Sequence, residues 1–331
     1  MYKSFYKLRL NPFEITPDPS FLFSTPRHNE ALASLYYGVR ARKGFVVLTG
    51  EVGTGKTLLV RCVLELLRRT GVAFAYVFNP SLSAVEFIRY IAGDFGLPVA
   101  GKAKDELILS LSAFLVDRHQ KKLSTLLVVD EAHHLAPELL EEIRLLTNLE
   151  TTQQKLLQIV LAGQPELDEM LDSFELRQLK QRVALRCHLE PLNLEDTRGY
   201  IRRRLEIGGA PAGTVIFSDA SISAIFRHSK GFPRMINTIC ENSLLSGYAR
   251  RASVILPEVV EEVAQDLRLG IVSDARKKAA GPNPKEQEKD ELLRAVKTLL
   301  ELHDYLQEMK TTESKETAPV SRRATEHEPY I

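Results

Sequence analysis

Four short apolar runs punctuate the first half of the chain: GFVVLTG (44–50), FAYVFN (74–79), LLVVDEA (126–132) and LQIVLAG (157–163). The first, third and fourth are almost continuously apolar over strand length, as strands buried on both faces of a parallel sheet are. Helical periodicity fills the intervals. KTLLVRCVLELLRRTG (56–71) carries Arg68 and Arg69 in its last turn and Gly71 at its end, which suits a helix C-terminus. This alternation predicts an α/β sandwich around a parallel sheet, spanning residues 31–194. From about 195 the character changes. NLEDTRGYIRRRLEIGG, the stretch 218–251 and LPEVVEEVAQDLRLG show helical spacing without strand-length runs, which predicts a small all-α domain over 195–270.

The ends read differently. Residues 1–30 are rich in Phe, Tyr and Pro, and the prolines argue for an ordered but irregular arm packed on the core. After Gly270, charged and Pro-containing stretches predict a mostly disordered tail over 271–331. It is interrupted by LLRAVKTLLELHDYLQEM, whose apolar spacing predicts a helix over 291–309 that could self-associate or dock a partner.

Composition is that of a soluble globular protein, 44% hydrophobic and 26% charged over 331 residues. A net charge of +1 gives no global argument for nucleic acid, so any DNA-binding surface has to be local. The six arginines Arg198, Arg202, Arg203, Arg204, Arg250 and Arg251 could make such a patch or line a solvated face. Three scattered cysteines suit a reducing compartment. No apolar signal segment opens the chain, and no window has the length of a membrane span. The expected location is cytoplasmic.

The chemistry sits at the ends of the apolar runs. GEVGTGKT (50–57) matches G-x-x-x-x-G-K-[ST] between a predicted strand and a predicted helix, the context that gives the pattern meaning. Its backbone N–H groups and the helix N-terminus form an anion cradle. Gly50, Glu51, Val52, Gly53, Thr54, Gly55, Lys56, Thr57 and Leu58 would then surround nucleotide phosphates, with Lys56 on the β/γ-phosphates and the Thr57 hydroxyl on Mg²⁺. Asp130, ending the third run, would complete the Mg²⁺ shell. Glu131 would orient and polarise the attacking water, so the expected reaction is hydrolysis of ATP to ADP and phosphate.

Other polar residues leave alternatives open. Gln164 ends the fourth run and could report the γ-phosphate, or serve as a turn residue before Pro165. Arg177, Arg182 and Arg186 lie in a stretch (176–189) that reads as a helix; one could reach a neighbouring subunit's phosphate as an arginine finger, or all could be solvated. Arg234, near the start of a helix in GFPRMIN, could contact nucleotide from the α-domain. His133 and His134 could be half of a metal site or could pack after the strand, and adjacent histidines with no third ligand at metal spacing favour the latter.

The order of these features (phosphate loop, VVDE, polar strand tip, arginine-bearing segment, then G-x-P-R in a helical lid) is similar to an AAA+ ATPase. FYKLRLNPFEITPDPSFLFSTPRHNEALASLYYGV, KGFVVLTGEVGTGKT, DEAHHL, LAGQPEL and GFPRMIN together resemble the general secretion pathway protein A (ExeA) family over about 1–270. That family's core is related to transposition ATPases of the TniB and TnsC kind. The resemblance implies a P-loop AAA+ three-layer sandwich with a helical lid, Gln164 as sensor 1, Arg182 as the finger with Arg177 as competitor, and Arg234 as sensor 2. It implies ATP and Mg²⁺ as ligands, self-association into a ring or filament, and service to an envelope export system; a transposition-type DNA regulator is the alternative. It also suggests Asn11, Pro12 and Phe13 near the adenine, with core packing of Phe13 as the competing role. The family's membrane span and peptidoglycan-binding region have no counterpart in this sequence. The resemblance is therefore to the ATPase module, and recruitment to the inner membrane would run through a membrane-bound partner.

Overall fold

The computed structural model describes residues 1–78, 82–152 and 154–269, all within one compact unit, Met1–Gly270. The tail and the helix expected over 291–309 lie outside the described residues. Five strands, β1 (Phe45–Gly50), β2 (Ala73–Val77), β3 (Thr125–Val129), β4 (Gln158–Gly163) and β5 (Val183–Leu189), form one sheet in the order β2-β3-β4-β1-β5. Every pairing is parallel, so all strand C-termini reach the same edge.

Burial on two faces explains the apolar runs. β1, β3 and β4 are buried along their whole length, and their alternate side chains enter different layers. Phe45, Val47, Leu127, Val129, Ile159 and Leu161 pack with α4 (Ala84–Asp94), α5 (Lys104–Gln120) and α6 (Pro137–Leu146). Val46, Leu48, Leu126, Val128, Val160 and Ala162 pack with α2 (Pro26–Arg40) and α3 (Lys56–Arg68). The result is a three-layer sandwich.

The stretch 176–189 departs from the helical expectation. Only one turn, Arg177–Lys180, is helical, following a short helix at Glu166–Asp172, and the chain then enters β5. Val183, Leu185, Cys187 and Leu189 point inward to differing degrees, while Ala184, Arg186 and His188 are exposed. This is the period-2 pattern of an edge strand. Ala184 among regularly spaced arginines hid it, because such spacing also fits an amphipathic helix.

The lid consists of α9 (Leu194–Ile207), α10 (Asp219–Ser229), α11 (Pro233–Ala249) and α12 (Pro257–Asp266) (elements are numbered so that α1 is Tyr2–Phe5, α7 Glu166–Asp172 and α8 Arg177–Lys180). Its core of Ile201, Ile225, Ile236, Ile239, Leu244 and Val260 also takes in Tyr2, Tyr6, Leu8 and Phe13 of the N-terminal arm. The arm is tied down by two phenols: Tyr6 donates to the Ala252 carbonyl at 2.9 Å, and Tyr2 approaches both Glu241 carboxylate oxygens at 2.8 Å. Gly231 fixes the α10–α11 turn against the segment leading into the lid. It sits at φ 80°, its carbonyl accepts from Leu192 N–H at 2.9 Å, and a Cβ there would lie 1.9 Å from the Leu192 carbonyl oxygen. No side chain fits.

Two stability predictions follow from the lid. Gly231→Ala should destabilise the protein by at least about 2 kcal/mol in chemical unfolding, since backbone strain and a clash add. Burial raises the Glu241 carboxyl above its ordinary value, although the Tyr2 hydrogen bond lowers it in part. The native state therefore binds this proton more tightly than the unfolded chain, and stability falls as pH rises through and above 4.5. Glu241→Gln should gain Tm relative to wild type as pH rises through that window, and the gap should close in more acidic buffer.

Candidate nucleotide site

The loop between β1 and α3 is shaped by glycines. Gly53 and Gly55 take φ 81° and 100°, a conformation that turns successive N–H groups toward one concavity. α3 begins at Lys56 directly after Gly55, so its N-terminus opens onto the same space. Lys56 is 6% exposed, and its ammonium donates to the Gly50 and Glu51 carbonyls at 2.7 and 3.1 Å. Burial lowers its pKa, while the carboxylates of Glu131, Asp130, Glu51 and Glu166 act in the opposite direction.

The acids stand opposite. Asp130 follows β3, is 4% exposed and is anchored by its N–H to the Val77 carbonyl at 2.8 Å. One carboxylate oxygen accepts from the Thr57 hydroxyl at 2.8 Å and from Tyr76 at 2.7 Å; the other accepts from Glu131 N–H at 3.0 Å. Burial, then Asp130, raises the Tyr76 phenol far above its ordinary value, so it stays a donor. A hydroxyl paired with a buried carboxylate beside an anion cradle is the donor set that Mg²⁺ takes together with phosphate oxygens. The residues fit that ion. Tyr76 escaped sequence reasoning; its signal was a hydroxyl on the neighbouring strand, in register with Val128 two residues before Asp130.

Glu131 leaves the strand in the left-handed region at φ 51°, ψ 36°, uncommon for a residue with a Cβ. Its carboxylate is half-exposed and lies 3.5 Å from His133 Nδ1. His133 is nearly enclosed, and Gln164 engages both its nitrogens, through the backbone N–H at 3.4 Å from Nδ1 and the side-chain amide nitrogen at 2.6 Å from Nε2. The two histidine rings face each other at 3.9 Å. Glu131, His133 and His134 do bring one possible ligand atom each within 4.8 Å of one another. Gln164 donors approach both His133 nitrogens, and a neutral ring can accept at only one of them. Burial and the neighbouring His134 lower the His133 pKa, so the ring is neutral near pH 7.

A cavity of about 410 Å³ opens above the loop, within the range that holds small-molecule cofactors. Val52, Gly53, Gly55, Lys56, Thr57, Leu58 and Glu131 line one side, Tyr200, Arg204, Arg234 and Asn237 of the lid another, and Ile15, Thr16 and Pro17 of the arm a third. Phe13 does not line it: the ring is 1% exposed and packs edge-on to Phe217 at 6.0 Å in the lid core. Arg234 meets the loop directly, its N–H donating to the Gly53 carbonyl at 3.2 Å, and a Cβ on Gly53 would fall 2.8 Å from the Cβ of Arg234.

Arg204 departs from the surface patch expected of it. It is 4% exposed, lies over the rings of Phe21 and Tyr200, and donates to the Pro12 and Glu14 carbonyls at 2.7 and 3.3 Å. Backbone carbonyls are the usual partners of buried side-chain donors; both of these bonds come from one terminal nitrogen, and the buried Nε has no partner among the described residues. Among the other five, Arg198 pairs with Glu195 and Asp219, Arg203 with Glu206, and Arg250 with Glu262. Arg202 and Arg251 are exposed.

Arg182, the first candidate finger, stands away from the chain's own loop. β1 and β5 pair from Phe45–Val183 to Gly50–Leu189, so Arg182 precedes the end of the sheet opposite Gly50. The separation is roughly 20 Å at about 3.3 Å per residue. Arg182 donates to Thr147 Oγ1 and Asn148 Oδ1 at 2.7 and 2.6 Å. Arg177 lies over the exposed Phe174 ring at 4.0 Å, and Arg186 pairs with Asp168 and Asp172.

The chain is similar to known proteins in sequence and in fold. An AAA domain model matches residues 39–171. The Aeropyrum pernix ORC2 protein, in its ADPNP-ADP complexes, superposes with a TM-score of 0.59 at 17% identity over 78% of this chain and 72% of that one. Cdc6p from Pyrobaculum aerophilum gives 0.55 at 20% over 75% and 71%, and the Thermotoga maritima RuvB Holliday junction branch migration motor 0.51 at 17% over 74% and 70%. At such identities the likeness is one of fold. Fold and site together define a P-loop NTPase of the AAA class, and the chain belongs to it. Within that class it is homologous to general secretion pathway protein A of Aeromonas hydrophila, at 45% identity over 258 residues, 77% of this chain and 46% of that protein. The chain thus spans about half the length of that relative. No helix among the described residues is long and apolar enough to cross a membrane.

The Thr57–Asp130 pair generates a prediction. Asp130→Asn should abolish the Mg²⁺-dependent increase in nucleotide affinity in calorimetric titrations while leaving metal-free ADP binding within about threefold; an unchanged Mg²⁺ dependence would remove Asp130 from the metal shell.

Proposed function

We propose that this chain binds ATP with Mg²⁺, hydrolyses it to ADP and phosphate, and couples nucleotide state to self-assembly in the service of an envelope export system. The observation that carries the hydrolytic reading is the meeting of Thr57 with Asp130 at 2.8 Å beside a glycine cradle, with Glu131 next in sequence at the cavity wall. In this reading the loop amides and Lys56 hold the phosphates, and Thr57 and Asp130 hold Mg²⁺, which neutralises charge on the phosphates when bound. Glu131 orients the attacking water and accepts its proton. Gln164 and Arg234 contact the γ-phosphate from the sheet edge and the lid. Because Arg234 and Gly53 touch, a lid movement reaches the loop directly.

Assembly is supported by the position of Arg182. Some 20 Å from its own loop, it could serve only a neighbour's nucleotide, so a finger role requires a ring or filament. Arg177 is the competitor. The export role rests on likeness to general secretion pathway protein A, and recruitment to the inner membrane would run through a membrane-bound partner of that system. Burial of Arg204 and pairing of Arg198, Arg203 and Arg250 weigh against the DNA-regulator alternative.

Lys56→Ala should lose ATP binding or turnover. Glu131→Gln should keep ATP affinity and lose about 10²-fold or more in kcat; near-normal turnover would overturn the hydrolytic assignment. Arg182→Ala should also be slow. Mixing it with Glu131→Gln protein should restore activity, because the intact finger of one subunit then faces the intact site of the other. Added duplex DNA should leave the rate unchanged.

A further inference from the structure

The two polar groups assigned to the γ-phosphate and its water, Gln164 and Glu131, do not touch each other; His133 stands between them. We infer that His133 is a positioning residue whose tautomer couples the orientation of the Gln164 amide to the freedom of the Glu131 carboxylate. This rests on the hydrolytic reading above.

The turn is built to hold the ring there. Glu131 takes the left-handed conformation, the His134 N–H closes a tight turn on the Glu131 carbonyl at 3.0 Å, and the end of β4 presses so closely that a Cβ on Gly163 would lie 3.2 Å from the His133 backbone nitrogen. The ring is 6% exposed at its side chain. A neutral imidazole carries one N–H and one lone pair. With the proton on Nδ1, the ring faces Glu131 with a donor at the cost of the Gln164 backbone N–H, which loses Nδ1 as its acceptor, and Nε2 accepts from the Gln164 amide NH₂, 2.6 Å away. The Gln164 carbonyl oxygen then turns away from the ring. With the proton on Nε2, the Gln164 carbonyl oxygen must turn toward the ring, Nδ1 accepts from the Gln164 backbone N–H, and Glu131 has no donor from histidine. A γ-phosphate offers only acceptors, so it draws the Gln164 NH₂ toward itself and selects this second state. One proton leaves Nδ1 to water and one arrives at Nε2 from water. The net result is a Glu131 carboxylate free to take the proton of the attacking water only when the γ-phosphate is present.

The test uses the full chain. His133→Phe keeps the ring shape and removes both hydrogen bonds; kcat should fall about 10²-fold, the cost of misplacing a catalytic group, with ATP Kd unchanged. His133→Gln keeps polarity without a tautomer pair and should show the same split, which guards against misfolding of the phenylalanine variant. Combining His133→Phe with Gln164→Ala should be no slower than the slower single variant. In ¹⁵N-histidine spectra, His133 should carry its proton on Nδ1 with ADP and on Nε2 with a non-hydrolysable ATP analogue and Mg²⁺. Wild-type turnover in either variant, parallel loss of binding and turnover, multiplicative effects, or one tautomer in both nucleotide states would each overturn the coupling. Failure of the hydrolytic reading is distinguishable, because it shows as unimpaired turnover in Glu131→Gln.

Discussion

The hydrogen bond from Thr57 to Asp130 spans the gap that the sheet order creates. β4 lies between β1 and β3, so the two strand ends stand about 10 Å apart at about 4.8 Å per strand. Neither residue can close that distance from its strand. α3 has to start at once after the glycine loop, and Asp130 has to be the first residue beyond β3, anchored on β2 through Val77. A one-residue slip of β3 would turn Asp130 toward the other face and break the pair. Burial of the strand on both faces fixes that register, so the core packing and the polar site are one constraint seen from two sides.

The lid adds the second half of the cavity by a similar economy. Its turn at Gly231 is seated on Leu192, where the chain leaves the sheet, and its next residues bring Arg234 onto Gly53. The arm is held from both directions. Arg204 of the lid grips the Pro12 and Glu14 carbonyls, while Arg61 on α3 donates to the Pro17 carbonyl at 3.0 Å. Residues 15–17 are thus suspended between lid and core, and relative movement of the two would be felt where they line the cavity.

The apolar runs were legible because parallel strands buried on two faces leave no room for polar alternation. The loop 50–57 and the acids 130–131 stood out because phosphate and Mg²⁺ chemistry would demand those residue types at strand ends, and the structure brings the two segments together through Thr57 and Asp130. What escaped was set by long-range packing. β5 is an edge strand, and its exposed Arg186, spaced from Arg177 and Arg182 upstream, gave the stretch a helical appearance. Arg204 looked like one more surface cation in a run of arginines, and only the arm returning from the far end of the sequence buries it. Phe13 could be placed in either core or cavity until Phe217, some two hundred residues away, supplied its partner.

The same reasoning explains why the histidines of DEAHHL resisted interpretation as a pair. Adjacent residues on a regular element diverge, which argued against joint chemistry. The left-handed turn at Glu131 breaks that regularity and folds His133 back over the acid that precedes it. A conformation costing on the order of 1–3 kcal/mol persists only where its surroundings enforce it. Here the enforcing contacts are the end of β4 at Gly163 and the Gln164 amide. The strain therefore lies at the one place where the acid and the polar tip of a neighbouring strand are joined through a group that can exchange donor and acceptor between its two ends.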